Sequence, residues 1–364
     1  MARMMGEQMK FYSIVGTRPN FVKEFLINAE SKRRGFQEII VHTGQHYDRD
    51  LSEVFFDDFS LPVPHHFLTV ENSDNVSFTA GAMHQLAELL REDRPDFVLA
   101  YGDVNSTLSA AVAASKLQIP FAHVEGGIRS SNRYNPEEIN RRVSDTLAEV
   151  NYCCTSTDVL NLKSEGHEPS HIVMSGDLMK DVLMYTMSRL EVPVVRGDYA
   201  VLTLHRQENV VACDRLEAIV DGLIRSQKRI LFPAHPRTRK QLEKFGLMRK
   251  LAQSKVEVMS PLGYVEFVKL VAGADKVLTD SGGVRREAYL LKKPCVVLIE
   301  LSWFPEISRM GWKVLTGPDP ERIAYLINTF EPTGPHCELF GDGRAHLKIL
   351  DDLERRFGSV TSAN

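Results

Sequence analysis

The chain has 364 residues, more than one α/β core comfortably holds, so two domains are expected; 43% of it is hydrophobic, 25% charged, and the mean hydropathy is −0.20. A formal net charge of −4 speaks against a general nucleic-acid or membrane-surface binder, which would carry a basic excess. No run of about 18 apolar residues marks a membrane span, and MARMMGEQMKF lacks the apolar stretch of a signal peptide. The five cysteines (Cys153, Cys154, Cys213, Cys295 and Cys337) form no CxxC pair, which suits reduced thiols, mostly buried, in a cytoplasmic protein.

Residues 1–8 read as an extension before the first strand, 10–15 (KFYSIV). Gly16-Thr17-Arg18-Pro19-Asn20 follows. Glycine permits a tight turn, Pro19 suits the first turn of a helix, and Arg18 either grips a phosphate or is simply exposed. A second strand, 38–42, runs into His42-Thr43-Gly44-Gln45-His46-Tyr47-Asp48, a polar loop facing ligand or a helix cap. A helix is predicted over 76–91 from Val76, Ala80, Met83, Leu86 and Leu90, then a strand over 96–101. At its tip stands Asp103, before Asn105, Ser106 and Thr107, which can cap an alanine-rich helix over 106–117 and so leave Asp103 for proton transfer or ribose binding.

The strand 119–124 ends in His123-Val124-Glu125-Gly126-Gly127-Ile128-Arg129. A carboxylate between an apolar strand and two glycines is desolvated, which suits a general base; the plain alternative is that Glu125 pairs with Arg129. Next, Asn135 is expected to cap a helix opening with Pro136, laced by the i,i+4 pairs Glu137/Arg141, Glu138/Arg142 and Arg141/Asp145. Helix stability explains that whole segment, and only its place after Glu125 makes Glu137 a catalytic candidate. A strand at 151–155 and a seam at 188–198 close the first half.

The pattern then restarts, with strands expected at 199–204, 229–233, 256–259, 276–279 and 294–299 and helices near 214–226, 238–252, 264–273 and 283–291. Alternation of β and α with continuous apolar strands implies parallel sheets covered on both faces, with ligands at the carboxyl ends of the strands. His205, beside Glu208 and Asn209, resembles an oriented proton shuttle, and His235 stands at the next strand tip. Thr279-Asp280-Ser281-Gly282-Gly283-Val284-Arg285-Arg286-Glu287 runs from a strand through a glycine turn into a helix. Its N–H groups and the Ser281 hydroxyl offer a diphosphate site, and Glu287, one turn on, suits a ribose diol. A purely structural turn is the alternative.

The ordered set GTRP, TGQHYD, GDVNST, HVEGGIRS, NPEEINRRVSD, LHRQEN, PAHPRT and TDSGGVRREA, spanning residues 9–330, resembles the non-hydrolysing UDP-N-acetylglucosamine 2-epimerases. The resemblance implies a GT-B-like α/β fold of two Rossmann-like doubly wound domains with an interdomain cleft. The first would cover 9–180 joined by a C-terminal helix at 343–360, and the second, UDP-binding, 190–340. It implies a homodimer and a UDP-sugar substrate, with no NAD, no metal and neither nucleic acid nor membrane as partner. Asp103, Glu125, Glu137 and His205 match the proton-transfer residues, with Arg141 as a support. Arg18, Ser281, Gly282, Gly283 and Glu287 match the UDP contacts, and His235 is added as a substrate-binding candidate.

Two departures bear on the substrate. Arg285-Arg286 stands where the family commonly has Gln-Glu or another polar pair, and added positive charge there could meet an anionic sugar substituent. The TGQHYD segment and the later Lys293-Pro294-Cys295 with Trp303-Phe304-Pro305-Glu306 look closer to the branch acting on UDP-2,3-diacetamido-glucuronate. Gln45 and His46 match only in part the loop that binds an allosteric UDP-sugar in one branch. The residues themselves leave three rivals: a GT-B glycosyltransferase, a hydrolysing epimerase releasing UDP and free sugar, and an inactive UDP-sugar sensor.

Overall fold

The structure, a computed structural model, describes residues 8–45, 63–71, 74–130, 132–189, 196–300 and 303–358. The side chain of Arg18, the whole of His46 and most of the 188–198 seam lie outside the described residues. The chain divides into two compact units, Met1–Met184 with Leu339–Asn364, and Tyr185–Glu338.

The first unit is built on β1 (Lys10–Val15), β2 (Gln37–His42), β3 (His66–Phe67), β4 (Phe97–Tyr101), β5 (Phe121–Val124), β6 (Val150–Cys153) and β7 (Ile172–Met174). They pair in the order β3-β2-β1-β4-β5-β6-β7, every pair parallel. β4, FVLAY, is buried at every position, the mark of a strand covered by helices on both faces. Alanines 110, 111, 113 and 114 let the helix Asn105–Lys116 lie close on that sheet. The register sets Val15 against His42 and Tyr101 against Val124, so the loops after all four strands open along one edge. Asn20 pins the first of them: its Oδ1 accepts from Thr17 N at 3.1 Å and its Nδ2 donates to the Tyr101 carbonyl at 3.0 Å.

The helix Ala345–Phe357 packs on this first unit. Tyr152 donates to Asp352 Oδ2 at 3.0 Å, Arg34 pairs with Asp351 at 2.7 Å, and Phe357 stacks on Phe97 at 5.1 Å. Burying an aromatic ring of this kind contributes about 1.5–3 kcal/mol.

The second unit holds β8 (Ala200–Thr203), β9 (Ile230–Pro233), β10 (Val256–Met259), β11 (Lys276–Thr279), β12 (Cys295–Val297) and β13 (Lys313–Leu315), ordered β10-β9-β8-β11-β12-β13 and again all parallel. Both units therefore show the doubly wound order, reversing at β1/β4 and at β8/β11, where ligands bind in such sheets. The helix expected over 238–252 is two, Pro236–Lys244 and Leu247–Ala252, because Gly246 turns left-handed at φ 70° between them. The short strands β3, β7 and β13 carry too few residues for a readable period, and no expectation covered them. Among the described residues no helix is long and apolar enough to cross a membrane.

Candidate active site

Glu125 follows β5 with φ 71°, a left-handed backbone that costs a residue with a side chain about 1–3 kcal/mol. Its N–H and that of Gly126 both donate to the Tyr152 carbonyl, at 3.0 and 3.1 Å, which fixes the bend. The carboxylate is buried and ion-paired with the buried Lys23 of the helix Arg18–Arg34. Desolvation, expected from the sequence, is thus met by a cation; Arg129 instead binds Asp145 at 2.7 Å and Glu165 at 2.6 Å. Gly102, at φ 70°, lies so close that a Cβ there would stand 3.0 Å from Glu125 Oε2.

Asp103, next to Gly102, keeps a third of its side chain exposed (34%) and is gripped by Arg141 Nη2 at 2.5 Å. Asn140 Nδ2 donates to the Asp103 carbonyl at 2.9 Å. Arg141 is buried, and its Nη1 reaches Glu138 Oε2 at 3.1 Å. Glu138, wholly buried, also accepts from Arg142 Nε and from Ser130 N, each at 2.9 Å. Asp103 and Glu125 thus stand at the tips of neighbouring strands, each with its own cation.

Three expectations fail here. The Glu138/Arg142 pair forms, but Glu137/Arg141 and Arg141/Asp145 do not: Arg141 points inward to Glu138 and Asp103, while His123 and Arg129 hold Asp145. Glu137 faces solvent, apart from this network. Asn105 does not cap its helix; the cap position is Val104 without a side-chain bond, and Asn105 bonds Asn75 and Asn140, each at 3.0 Å. Gln45 Oε1 accepts from the Ser106 N–H at 3.1 Å and its hydroxyl at 2.8 Å.

In the second unit the organiser is Asp280, wholly buried after β11. Its carboxylate accepts from the N–H of His205 at 3.1 Å, the N–H of Arg206 at 2.9 Å and Asn209 Nδ2 at 3.2 Å. His205 Nδ1 lies 3.5 Å from Asp280 Oδ1. The protein around His205 desolvates its imidazole and holds it below the ordinary histidine value against the pull of Asp280, although 47% of the side chain meets solvent.

Ser281 caps the helix Gly282–Leu290, its Oγ accepting from Val284 N at 3.5 Å. The hydroxyl hydrogen stays available for an anion, as do the N–H groups of Gly282 and Gly283, which have no partner within the helix. A Cβ on Gly282 would stand 2.8 Å from the Trp303 ring, whereas Gly283 has nothing nearer than 4.0 Å. Glu287 lies buried in the same helix. His235 is exposed and caps the helix Pro236–Lys244, its Nδ1 accepting from Arg237 N at 3.2 Å.

Arg285 and Arg286, singled out in the sequence, are both buried. Arg285 is fully buried, donates to the Asp280 carbonyl at 3.2 Å and packs 5.1 Å from the Trp303 ring centre, while Arg206 donates to the same carbonyl at 3.2 Å and packs at 4.0 Å. Burial brings the Arg285 guanidinium down to about 10. Arg286 lies over Phe304 at 5.5 Å. Arg285 thus braces the carbonyl of the turn from within, and Arg286 packs on the ring that follows Trp303. Lys23 and the organising role of Asp280 escaped the sequence reading because their partners come from distant segments. Glu125, Cys154 and Asp177 also bring ligand atoms within 4.8 Å of one another, but Lys23 already balances Glu125.

The family model described as UDP-N-acetylglucosamine 2-epimerase matches residues 28–354. A UDP-N-acetylglucosamine 2-epimerase homolog of Methanococcus maripaludis is 40% identical, covering 95% of this chain and 99% of its own. The UDP-2,3-diacetamido-2,3-dideoxy-D-glucuronate 2-epimerase of Pseudomonas aeruginosa is 36% identical, covering 95% and 100%. The crystal structure of the Methanocaldococcus jannaschii UDP-GlcNAc 2-epimerase in complex with UDP-GlcNAc and UDP superposes with a TM-score of 0.87 at 34% identity, covering 95% of this chain and 100% of that one.

Proposed function

The chain belongs to the UDP-N-acetylglucosamine 2-epimerase family, and on that footing we propose that it inverts C2 of a UDP-linked N-acetylhexosamine. No carbonyl acidifies the C2 hydrogen, so direct deprotonation would be slow. Loss of the C2 proton together with cleavage of the C1–oxygen bond instead yields UDP and a 2-acetamidoglucal. Re-addition of UDP at C1, with a proton delivered to the other face of C2, completes the epimer. Two faces require two proton carriers, and we assign Asp103 and Glu125, with Glu137 and His205 as further candidates and Arg141 orienting Asp103. The leaving diphosphate would rest on the first turn of the helix Gly282–Leu290, on Gly282, Gly283 and the Ser281 hydroxyl, with Arg18 and His235 adding to it and Glu287 taking the ribose diol. No cofactor is assigned, because the route has no redox step.

The observation that carries the reading is Glu125, a buried carboxylate held in left-handed backbone beside the strand that presents Asp103. Cys153, Cys154, Cys213, Cys295 and Cys337 form no disulfide among the described residues, which supports a cytoplasmic setting, and a homodimer is the assembly proposed, to be checked by sedimentation. The test is incubation with UDP-GlcNAc, and separately with its 2,3-diacetamido-uronate analogue, in heavy water, followed by NMR. Deuterium at C2 with a UDP-linked epimer supports the proposal. Free sugar with UDP, or transfer only with an acceptor, overturns it. Conversion of the uronate alone would move the assignment to the Pseudomonas aeruginosa relative's substrate.

A further inference from the structure

His123, on β5, is fully buried, and both of its ring nitrogens face acceptors. Nδ1 lies 2.7 Å from Asp145 Oδ1, and Nε2 lies 2.7 Å from the Gly102 carbonyl oxygen. A carbonyl only accepts, so Nε2 carries a hydrogen. An ionised carboxylate only accepts, so Nδ1 carries one as well. The alternative, a neutral Asp145 donating to Nδ1, is opposed by what binds the other oxygen: Arg129 Nη1 at 2.7 Å and the Gly127 N–H at 3.1 Å. The ring is therefore an imidazolium locked between an aspartate and a backbone carbonyl.

Its two ends hold the two loops of the site. Gly102 immediately precedes Asp103, and Gly127 follows Glu125 by two residues. Gly126 lies against the same carboxylate, where a Cβ would stand 3.1 Å from Asp145 Oδ1. Asn151 Nδ2 donates to the Asp145 carbonyl at 3.1 Å and ties the arrangement to β6.

We propose that His123 and Asp145 form a positioning pair, a buried imidazolium–carboxylate whose hydrogen bonds to Gly102 and Gly127 set the placement of both Asp103 and Glu125. The role rests on the reading of those two carboxylates as proton carriers. The charged groups around the ring are Asp145 and Glu125, with Arg129 on the former and Lys23 on the latter. Burial opposes the cation, but Asp145, the Gly102 carbonyl and Glu125 outweigh it and raise the imidazole above its ordinary value. The imidazolium in turn favours the ionised, proton-accepting form of Glu125.

Two measurements on the full chain decide this. In histidine-labelled 15N NMR at pH 8, one residue should show both ring nitrogens protonated, and its signals should vanish in His123→Gln. A single bare ring nitrogen on His123 at that pH overturns the ion pair. In the C2 exchange assay with UDP-GlcNAc, His123→Gln and Asp145→Asn should each lower kcat about 10- to 100-fold, with little change in KM. The acid limb of the pH–rate profile should move to higher pH, which a loss of folding alone would not produce. Folded variants with unchanged kcat and an unmoved acid limb overturn the positioning role. If the wild-type chain exchanges no deuterium with either UDP-GlcNAc or the 2,3-diacetamido-uronate analogue, the functional reading falls and the role falls with it, so the two failures are separable.

Discussion

At the edge of the first sheet, polar groups are held side chain to side chain: Lys23 on Glu125, Arg141 between Asp103 and Glu138, Asp145 between His123 and Arg129. At the corresponding edge of the second, Asp280 gathers backbone N–H groups through its carboxylate, and its own carbonyl takes two arginines. The contrast follows from what each edge is proposed to do. Proton transfer needs carboxylates whose charge and direction are set individually, and neighbouring side chains can do that. A diphosphate asks only for converging N–H groups, which the backbone supplies once the turn is fixed. Single charge changes should therefore retune the first edge, whereas the second should respond mainly to changes in the turn itself.

The largest effect is expected from Glu125→Gln, which should slow deuterium incorporation at C2 of UDP-GlcNAc by about 10²- to 10⁴-fold while leaving UDP affinity by calorimetry near the wild-type value. Loss of UDP binding in the same variant would break the division between the edges. Asp280→Ala comes next: it strands several buried donors and should cost about 3 kcal/mol. Both tryptophans, Trp303 and Trp312, lie in the second unit, so their fluorescence during a urea titration reads this loss directly. Gly282→Ala, pressed against the Trp303 ring, should cost about 1–3 kcal/mol. Gly283→Ala should change stability by under about 0.5 kcal/mol. Equal costs for the two glycines would show that the turn is not held from the Trp303 side.

The smallest effect is a slope. Burial lifts the Glu38 carboxyl to about 7, against bonds from Asn28 and others that lower it, and raises the buried Glu24 carboxyl beside it as well, so the two share one titration. Between the unfolded value of 4.5 and about 7 the folded chain thus binds more proton than the unfolded one, and stability falls as pH rises through that window. Glu38→Gln should flatten this fall in far-UV melting, with the tryptophan-detected transition unmoved.

The parallel sheets and the strand-tip placement of Asp103, Glu125, His205 and the Ser281 turn were legible from apolar runs punctuated by glycine. Pairing was far less so. Local spacing found Glu138/Arg142 but sent Arg141 to Glu137 and Asp145, because i,i+4 arithmetic ignores which face meets the sheet. Lys23 reaches Glu125 across 102 residues, and no pattern within a window reports such a partner. The surroundings of Arg285 and Arg286 were hidden for the same reason: Trp303 and Phe304, over whose rings they lie, arrive from the loop after β12.

The packing of Ala345–Phe357 against the first unit has a consequence for synthesis. Gly176 and Gly341 approach so closely that a Cβ on Gly341 would stand 2.8 Å from the Gly176 Cα, and Asp177 N donates to the Phe340 carbonyl at 3.1 Å. On the ribosome these partners emerge after the whole of Tyr185–Glu338. The earlier unit has its seven strands made first but waits with an uncovered flank, while the later-encoded unit receives all of its residues before that flank is covered. Order of translation and order of completion are reversed, unlike the usual amino-terminal-first course. A chain stalled before residue 339 would leave the ribosome with its second half finished and its first half open to chaperones.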